Sequence, residues 1–148
     1  MNIKFALAVS ESGLFEAKHF GDADKYLIYE WNGQDFLMCT ELVNSFKNFD
    51  EEQEHGSRKK GGAIIQLLQE NHVQVLVSKQ FGKNIQLVNH FFIPAIIGDE
   101  TIPEAITKLR NSMKWIEEEL SRNTQDYKLF TLKKGTLKSV IKKDEFDR

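Results

Sequence analysis

The chain has 148 residues, 41% of them hydrophobic and 28% charged, with a formal net charge of -2. That length suits one domain with a substantial core, and the near-balanced charge gives no reason to expect nucleic acid or an anionic membrane as the main partner. The single cysteine, Cys39, excludes an intramolecular disulfide and fits a reducing compartment.

The opening residues Met1-Asn2-Ile3-Lys4 run straight into a strand pattern, without the charged start, apolar run and small-residue site of a signal peptide. No apolar stretch is long enough to span a bilayer, so the expectation is a cytoplasmic protein. Ile3 to Val9 is short and almost wholly apolar, as suits a strand buried on both faces at the centre of a sheet. Ser10 to Lys18 reads as a loop broken by Gly13. Lys25 to Trp31 reads as a second strand, and Asn32-Gly33 is a strong hairpin signal leading to a third strand from about Asp35 to Val43.

Asn44 to Lys60 is polar, carries Asp50, Glu51, Glu52 and Glu54, and ends in Arg58-Lys59-Lys60. Its composition predicts a mobile loop. A helix follows, with Ser57 as cap and Gly61, Ile64, Ile65 and Leu68 on one face, fading near Asn71-His72. Val73 to Ser78 is an interior strand, Lys79 to Asn84 a strand-to-helix turn, and Ile85 to His90 a short helix. The strand Ile93 to Gly98 contains Pro94, which predicts a late start or an edge position. Thr101-Ile102-Pro103-Glu104 is a capping box with proline in the first turn. Ile102, Ala105, Ile106, Leu109, Met113, Ile116 and Leu120 form a core stripe, with Trp115 off it. After Asn123, Tyr127 to Lys133 and Thr136 to Ile141 flank Lys134-Gly135 as a small hairpin. Its alternation predicts that it folds back on the domain, covers Trp115 and turns its lysines outward.

This order predicts a three-layer α/β/α domain over residues 1–123 with one mixed five-stranded sheet, followed by a C-terminal extension over 124–148. In such sheets ligands sit at the carboxyl ends of the parallel strands. Those exits are Ser10 to Gly21, Lys79 to Asn84 and Gly98 to Thr101, so His19 lands at the same end as Gln80, Phe81 and Gly82.

The stretch Ala17-Lys18-His19-Phe20-Gly21 sets an imidazole, an aromatic ring and a glycine side by side. Imidazole binds borderline metals, and glycine lets the backbone approach a ligand closely. The plainer alternative has Phe20 plugging the core, Gly21 turning the chain and His19 in solvent. Cys39 carries the thiolate type that ligates clusters, but a lone mid-strand cysteine reads first as a small core residue. His72 and His90 fall at helix ends, where surface or capping roles are the default, and His55 is open between ligand and solvent roles. Gly61-Gly62 could offer free N–H groups to an anion at a helix N-terminus or serve close helix–sheet packing. There is no nucleophile–base pair and no phosphate-loop signature, and Ile3 to Val9 carries none of the acids a two-metal nuclease needs.

Three stretches together carry a resemblance: IKFALAVSESGLFEAKHFGDADKYLIYEW, EHGSRKKGGAIIQLL and VQVLVSKQFGKN. They resemble the dinitrogenase iron–molybdenum cofactor biosynthesis family, which includes NifX-like carriers and the C-terminal domain of NifB-like proteins. The resemblance spans about residues 3 to 120, and His19-Phe20-Gly21 is its most specific part. It implies a ribonuclease-H-like fold and a non-catalytic carrier that binds an iron–sulfur or iron–molybdenum cluster as a nitrogenase accessory factor. His19 is then the metal ligand, with Phe20, Gly21 and His55 at the same mouth and Gly61, Gly62, Gln80, Phe81 and Gly82 completing the cofactor-binding set. A cluster donor or acceptor protein is the implied partner; the alternative is an interaction module of the same fold without a cluster. The Lys79 to Lys83 turn is less glycine-rich than in many relatives, and the tail beyond Asn123 is an addition.

Overall fold

The computed structural model describes residues 2–46, 56–122 and 126–142. Strands β1 (Ile3–Val9), β2 (Lys25–Trp31) and β3 (Phe36–Val43) form an antiparallel meander. Helix α1 (Gly56–Glu70) then leads to β4 (Val73–Ser78), α2 (Ile85–Val88) to β5 (Ile93–Ile96), and α3 (Ile102–Ser121) to the hairpin β6 (Leu129–Thr131) and β7 (Leu137–Ser139). One seven-stranded sheet runs in the order β3-β2-β1-β4-β5-β6-β7. Pairing is parallel for β1–β4, β4–β5 and β5–β6, and antiparallel elsewhere.

The continuous apolar run of β1 now has its reason. Phe5, Leu7 and Val9 face a core with Leu109, Met113 and Ile116 of α3, while Ala6 and Ala8 face a second core with Ile64, Ile65 and Leu68 of α1. A strand between two cores needs apolar residues at both parities. The small Ala6 and Ala8 let α1 approach. Helices on both faces make three layers, with β1 between β2 and β4 at the heart of the sheet. Among the described residues no helix is long and apolar enough to cross a membrane.

The capping box is formed: Glu104 N–H donates to Thr101 Oγ1 at 3.3 Å, and Thr101 N–H donates to Glu104 Oε1 at 2.9 Å. At the β2–β3 turn Gly33 takes φ +98°, a value only glycine adopts without strain, and Asn32 Oδ1 accepts the N–H groups of Gln34 and Asp35.

Five expectations need correction. Among the described residues the sheet has seven strands rather than five, because the C-terminal hairpin pairs with β5 and extends it. Helix α1 starts at Gly56, so Ser57 and Arg58-Lys59-Lys60 lie inside it rather than in a loop or cap. At the other end of the expected loop, Asn44 is buried; residues 47–55 lie outside the described residues. Strand β5 is interior, and Pro94 is tolerated because β6 pairs only with Ala95 and Ile96, leaving no ladder bond from β6 for the missing N–H. Cys39 is exposed rather than core, since β3 is an edge strand and Cys39 sits where the β2–β3 register shifts. Finally, Trp115 remains 37% exposed, so the tail does not cover it; the hairpin grows the sheet sideways instead.

The hairpin is bound by packing and by a buried carboxylate. Phe130 and Leu132 are both 0% exposed and join the α3-side core. Glu119, 1% exposed, pairs with Arg122 and accepts the Lys128 N–H at 2.8 Å. Asn89 clamps the preceding residue from both sides, accepting the Tyr127 N–H at 2.9 Å and donating its amide to Tyr127 O at 3.1 Å. Ser112 and Thr136 hydroxyls meet at 2.7 Å, and Lys108 Nζ donates to Lys133 O at 3.0 Å.

Phe130→Ala should therefore cost about 3–5 kcal/mol of unfolding free energy, measured by denaturant titration; a loss below about 1 kcal/mol would mean the hairpin is peripheral to the core. Burial pushes the Glu119 carboxyl upward, but the Arg122 guanidinium and the Lys128 N–H outweigh it and hold it below the usual carboxylate range. A depressed folded-state value stabilises above the ordinary glutamate value of about 4.3 and is lost as pH falls through the depressed one. Glu119→Gln should thus destabilise the protein at pH 7, and its deficit against wild type should shrink on acidification to about pH 3. A deficit that does not change with pH would refute the charge assignment.

Candidate functional site

The carboxyl ends of β1, β4, β5 and β6 all point to one end of the sheet. The loop after β1 crosses that end and is stitched to the exit of β4. His19 and Gln80 form an isolated parallel bridge, and Phe20 N–H donates to Gln80 O at 2.9 Å. Gln80 Nε2 donates to Ala17 O at 2.8 Å, and Ser78 Oγ donates to Gln80 O at 2.9 Å.

Phe20 is the plug. It is 3% exposed and stacks on Tyr26 (centroids 4.7 Å apart, 28° between planes) and on Phe81 (5.5 Å, 17°). Tyr26, wholly buried, donates its hydroxyl to Phe20 O at 2.9 Å. Burial, with the Asp22 carboxylate adding to it, pushes this phenol far above its ordinary value, so it acts as a permanent donor. After Phe20 the chain makes one 3-10 turn over Phe20–Asp22.

Asn44 closes the loop from behind. At 2% exposure its amide donates to Gly21 O at 2.9 Å and Ala23 O at 2.8 Å, with Tyr26 Oη at 3.2 Å. Its own N–H donates to Asp24 O at 3.0 Å, and its Oδ1 accepts the Phe46 N–H at 3.0 Å. Lys60 of α1, 1% exposed, pairs with Asp22. A buried ammonium demands such a partner, because an unpaired one costs several kcal/mol. Sequence pattern missed both residues. Asn44 looked like an ordinary loop residue, and Lys60 the end of a solvated basic run; only the strong side-chain→backbone bonding habit of asparagine hinted at the first.

Most of the predicted set gathers here. Phe20, Gly21, Gly61 and Phe81 line one narrow crevice with Ile64 and Asn84, and Gln80, Gly82 and exposed His19 adjoin it. Gly21 and Gly61 serve close packing: a Cβ on Gly21 would lie 3.5 Å from Ile64 Cδ1, and one on Gly61 3.4 Å from Leu87 Cδ2. Gly61 and Gly62 fall within α1 beyond its first turn, so their N–H groups belong to the helix ladder and not to a free N-terminus. A Cβ on exposed Gly62 would meet nothing within 4 Å. His55 lies outside the described residues. Cys39, on β3, is three strands away from β4 across the sheet, about 14 Å at ordinary strand spacing. His90 pairs with Asp126. His72 takes φ +60° just past the end of α1, in an open cleft at the opposite end of the sheet that also involves Lys4, Glu30 and Phe91. Neither histidine belongs to the mouth.

Among the described residues no group of three or more His, Cys, Asp or Glu side chains is placed to hold a metal ion. The mouth instead offers one exposed imidazole on a rigid loop beside an aromatic and glycine-lined crevice. Lys18, Lys79 and Lys83 are its sequence neighbours; Lys18 meets Glu16 at 3.0 Å and Lys79 meets Asp99 at 3.4 Å.

Fold and mouth together define a mixed α/β domain whose chemistry-bearing residues collect where the parallel strands end. The chain belongs to the dinitrogenase iron-molybdenum cofactor family, whose match covers residues 1–112. No curated protein matches it. The match ends within α3, before the hairpin begins.

Asn44→Ala leaves the Gly21 and Ala23 carbonyls without their donor. It should cost about 1–3 kcal/mol and speed amide hydrogen exchange at Gly21 to Asp24 well before the core opens. Unchanged exchange there would show that the loop is held without it.

Proposed function

We propose that this protein binds a preassembled iron–sulfur or iron–molybdenum cluster as cargo and hands it on, in the manner of a nitrogenase-cofactor accessory factor, with His19 as the protein ligand. The reading is non-catalytic. It takes residues 1–123 as the cluster-binding unit and 124–148 as an extension of it. Membership of the iron-molybdenum cofactor family supports the cargo. The strand order β3-β2-β1-β4-β5, with β2 alone reversed, supports the ribonuclease-H-like reading of the fold.

The observation that carries the reading is the state of His19. It is exposed, its backbone is bridged to Gln80, and among the described residues none hydrogen-bonds its ring. A mononuclear ion needs three or four protein ligands in convergent geometry, and the described residues do not supply them. A cluster brings its own sulfide bridges and needs only an open coordination position filled. One imidazole on a firm loop suits that role, and loose binding through one ligand suits a cargo that must leave again. Phe20, Gly21, Gly61, Gln80, Phe81 and Gly82 are the proposed walls of the same mouth, with Gly62 and His55 the remaining members of the set. A donor or acceptor protein is the proposed partner.

The test is anaerobic loading with an isolated iron–molybdenum or iron–sulfur cluster, followed by the visible absorption spectrum and iron analysis of the desalted protein. Wild type should retain cluster and His19→Ala should retain at least tenfold less, with an unchanged melting temperature because an exposed loop side chain contributes little to the core. Equal iron retention in the two proteins would remove His19 from the site. No retention by wild type would favour the interaction module without a cluster.

A further inference from the structure

Position 82 has no side chain, and the imidazole of His19 stands where one would be. A Cβ built on Gly82 would lie 2.6 Å from His19 Nδ1, 2.8 Å from Cε1 and 3.0 Å from Cγ. These separations are well inside the contact distance of about 3.5 Å. Gly82 also takes φ +70°, which L side chains rarely adopt. Two independent features therefore require glycine at one residue, and only the first concerns His19.

The backbone is held on both sides of the contact, so a side chain at position 82 can be admitted only by turning the His19 ring out of its place. The His19 backbone is bridged to Gln80, Phe20 is bonded to Gln80 O, and the Gln80 amide is bonded back to Ala17 O. On the other side Gly82 follows Phe81, 4% exposed in the aromatic stack, and opens the 3-10 turn Gly82–Asn84. No described residue hydrogen-bonds the His19 ring. Packing against Gly82, rather than a hydrogen bond, is what orients it.

We propose that Gly82 is a positioning residue for His19: its bare Cα is the seat of the ring, covers the Nδ1 corner, and leaves Nε2 as the nitrogen presented to a ligand. The proposal gives the cluster reading its ligating atom and rests on that reading for its use, but the seat itself is a property of the unloaded protein. A single monodentate ligand gains from such a seat, because a ring fixed before binding has less rotamer freedom to lose. A second donor at Nδ1 is excluded, so a metal at this ring has one geometry to adopt.

The experiment uses the full chain without cluster. Bromoacetate alkylates imidazole at either nitrogen, and the two products at His19 separate after proteolysis. In native wild type the Nε2 product should exceed the Nδ1 product at least tenfold relative to their ratio in the denatured chain. A native ratio equal to the denatured one would overturn the proposal and needs no variant. The second arm is a double-mutant cycle of Gly82→Asn with His19→Ala. Asparagine tolerates positive φ but carries a Cβ, so it adds the clash with little backbone strain. His19→Ala should restore most of the stability that Gly82→Asn removes, a coupling of about tenfold in the unfolding constant. Folding of the double variant where Gly82→Asn alone fails supports the seat equally. Additive losses would overturn it. Because neither arm contains cluster, their failure leaves the cluster reading standing, and failed cluster loading with a normal alkylation ratio sinks only that reading.

Discussion

The stack Tyr26–Phe20–Phe81 is the contact on which the candidate site depends. Each ring belongs to a different element: β2, the loop after β1, and the turn after β4. Remove the middle ring and the loop loses its hold on both neighbours at once. The polar bonds around it are consequences of that docking. Gln80 O can accept the Phe20 N–H, and Tyr26 Oη can reach Phe20 O, only because the ring has brought the backbone there. His19 directly precedes Phe20 in extended backbone, and its side chain lies on the exposed side while Phe20 is buried. Exposure of the imidazole and burial of the ring are one structural event.

How much of this was legible in the sequence follows from periodicity. Helix α3 announces itself through a hydroxyl, a carboxylate three residues on and a 3.6-residue stripe, all local signals. Strand β1 announces its central place through apolar residues at both parities, and strands that run parallel place their exits at one end of the sheet. The convergence of His19, Gln80 and Gly82 at one end was therefore readable. The residues that hold them were not. Asn44 and Lys60 act through partners far away in sequence, and neither sits in a pattern that marks burial. The start of α1 was misread because charged residues fill its first turns, and charge signals solvent without distinguishing a helix from a loop. Cys39 was misjudged because burial was inferred for a strand that turned out to form the edge of the sheet.

The hairpin was readable as a hairpin but not in its placement, which the sequence set over Trp115. Lysines at 128, 133, 134, 138, 142 and 143 surround a short apolar core. Phe130 and Leu132 alternate with the less buried Leu129 and Thr131, so one face is buried in the α3-side core while the hairpin adds two strands to the sheet. The family match stops before it. The added strands nonetheless share the domain's core, and without them β5 would present an unpaired edge.

The sheet order has a consequence for how the chain finds its structure in time. The strands β1, β2 and β3 meet through short connections, but β1 completes its other side only with β4, pairing Phe5 to Val75 across α1 and everything before it. Contacts between such distant residues form slowly, because closing the intervening chain costs entropy before any pairing repays it. Until β4 arrives, β1 has one edge of unpaired backbone N–H and C=O groups beside its apolar faces. The most apolar strand of the protein is thus the one left waiting longest, and crowding or heat at that stage would divert chains into aggregates before the mouth of the site exists at all.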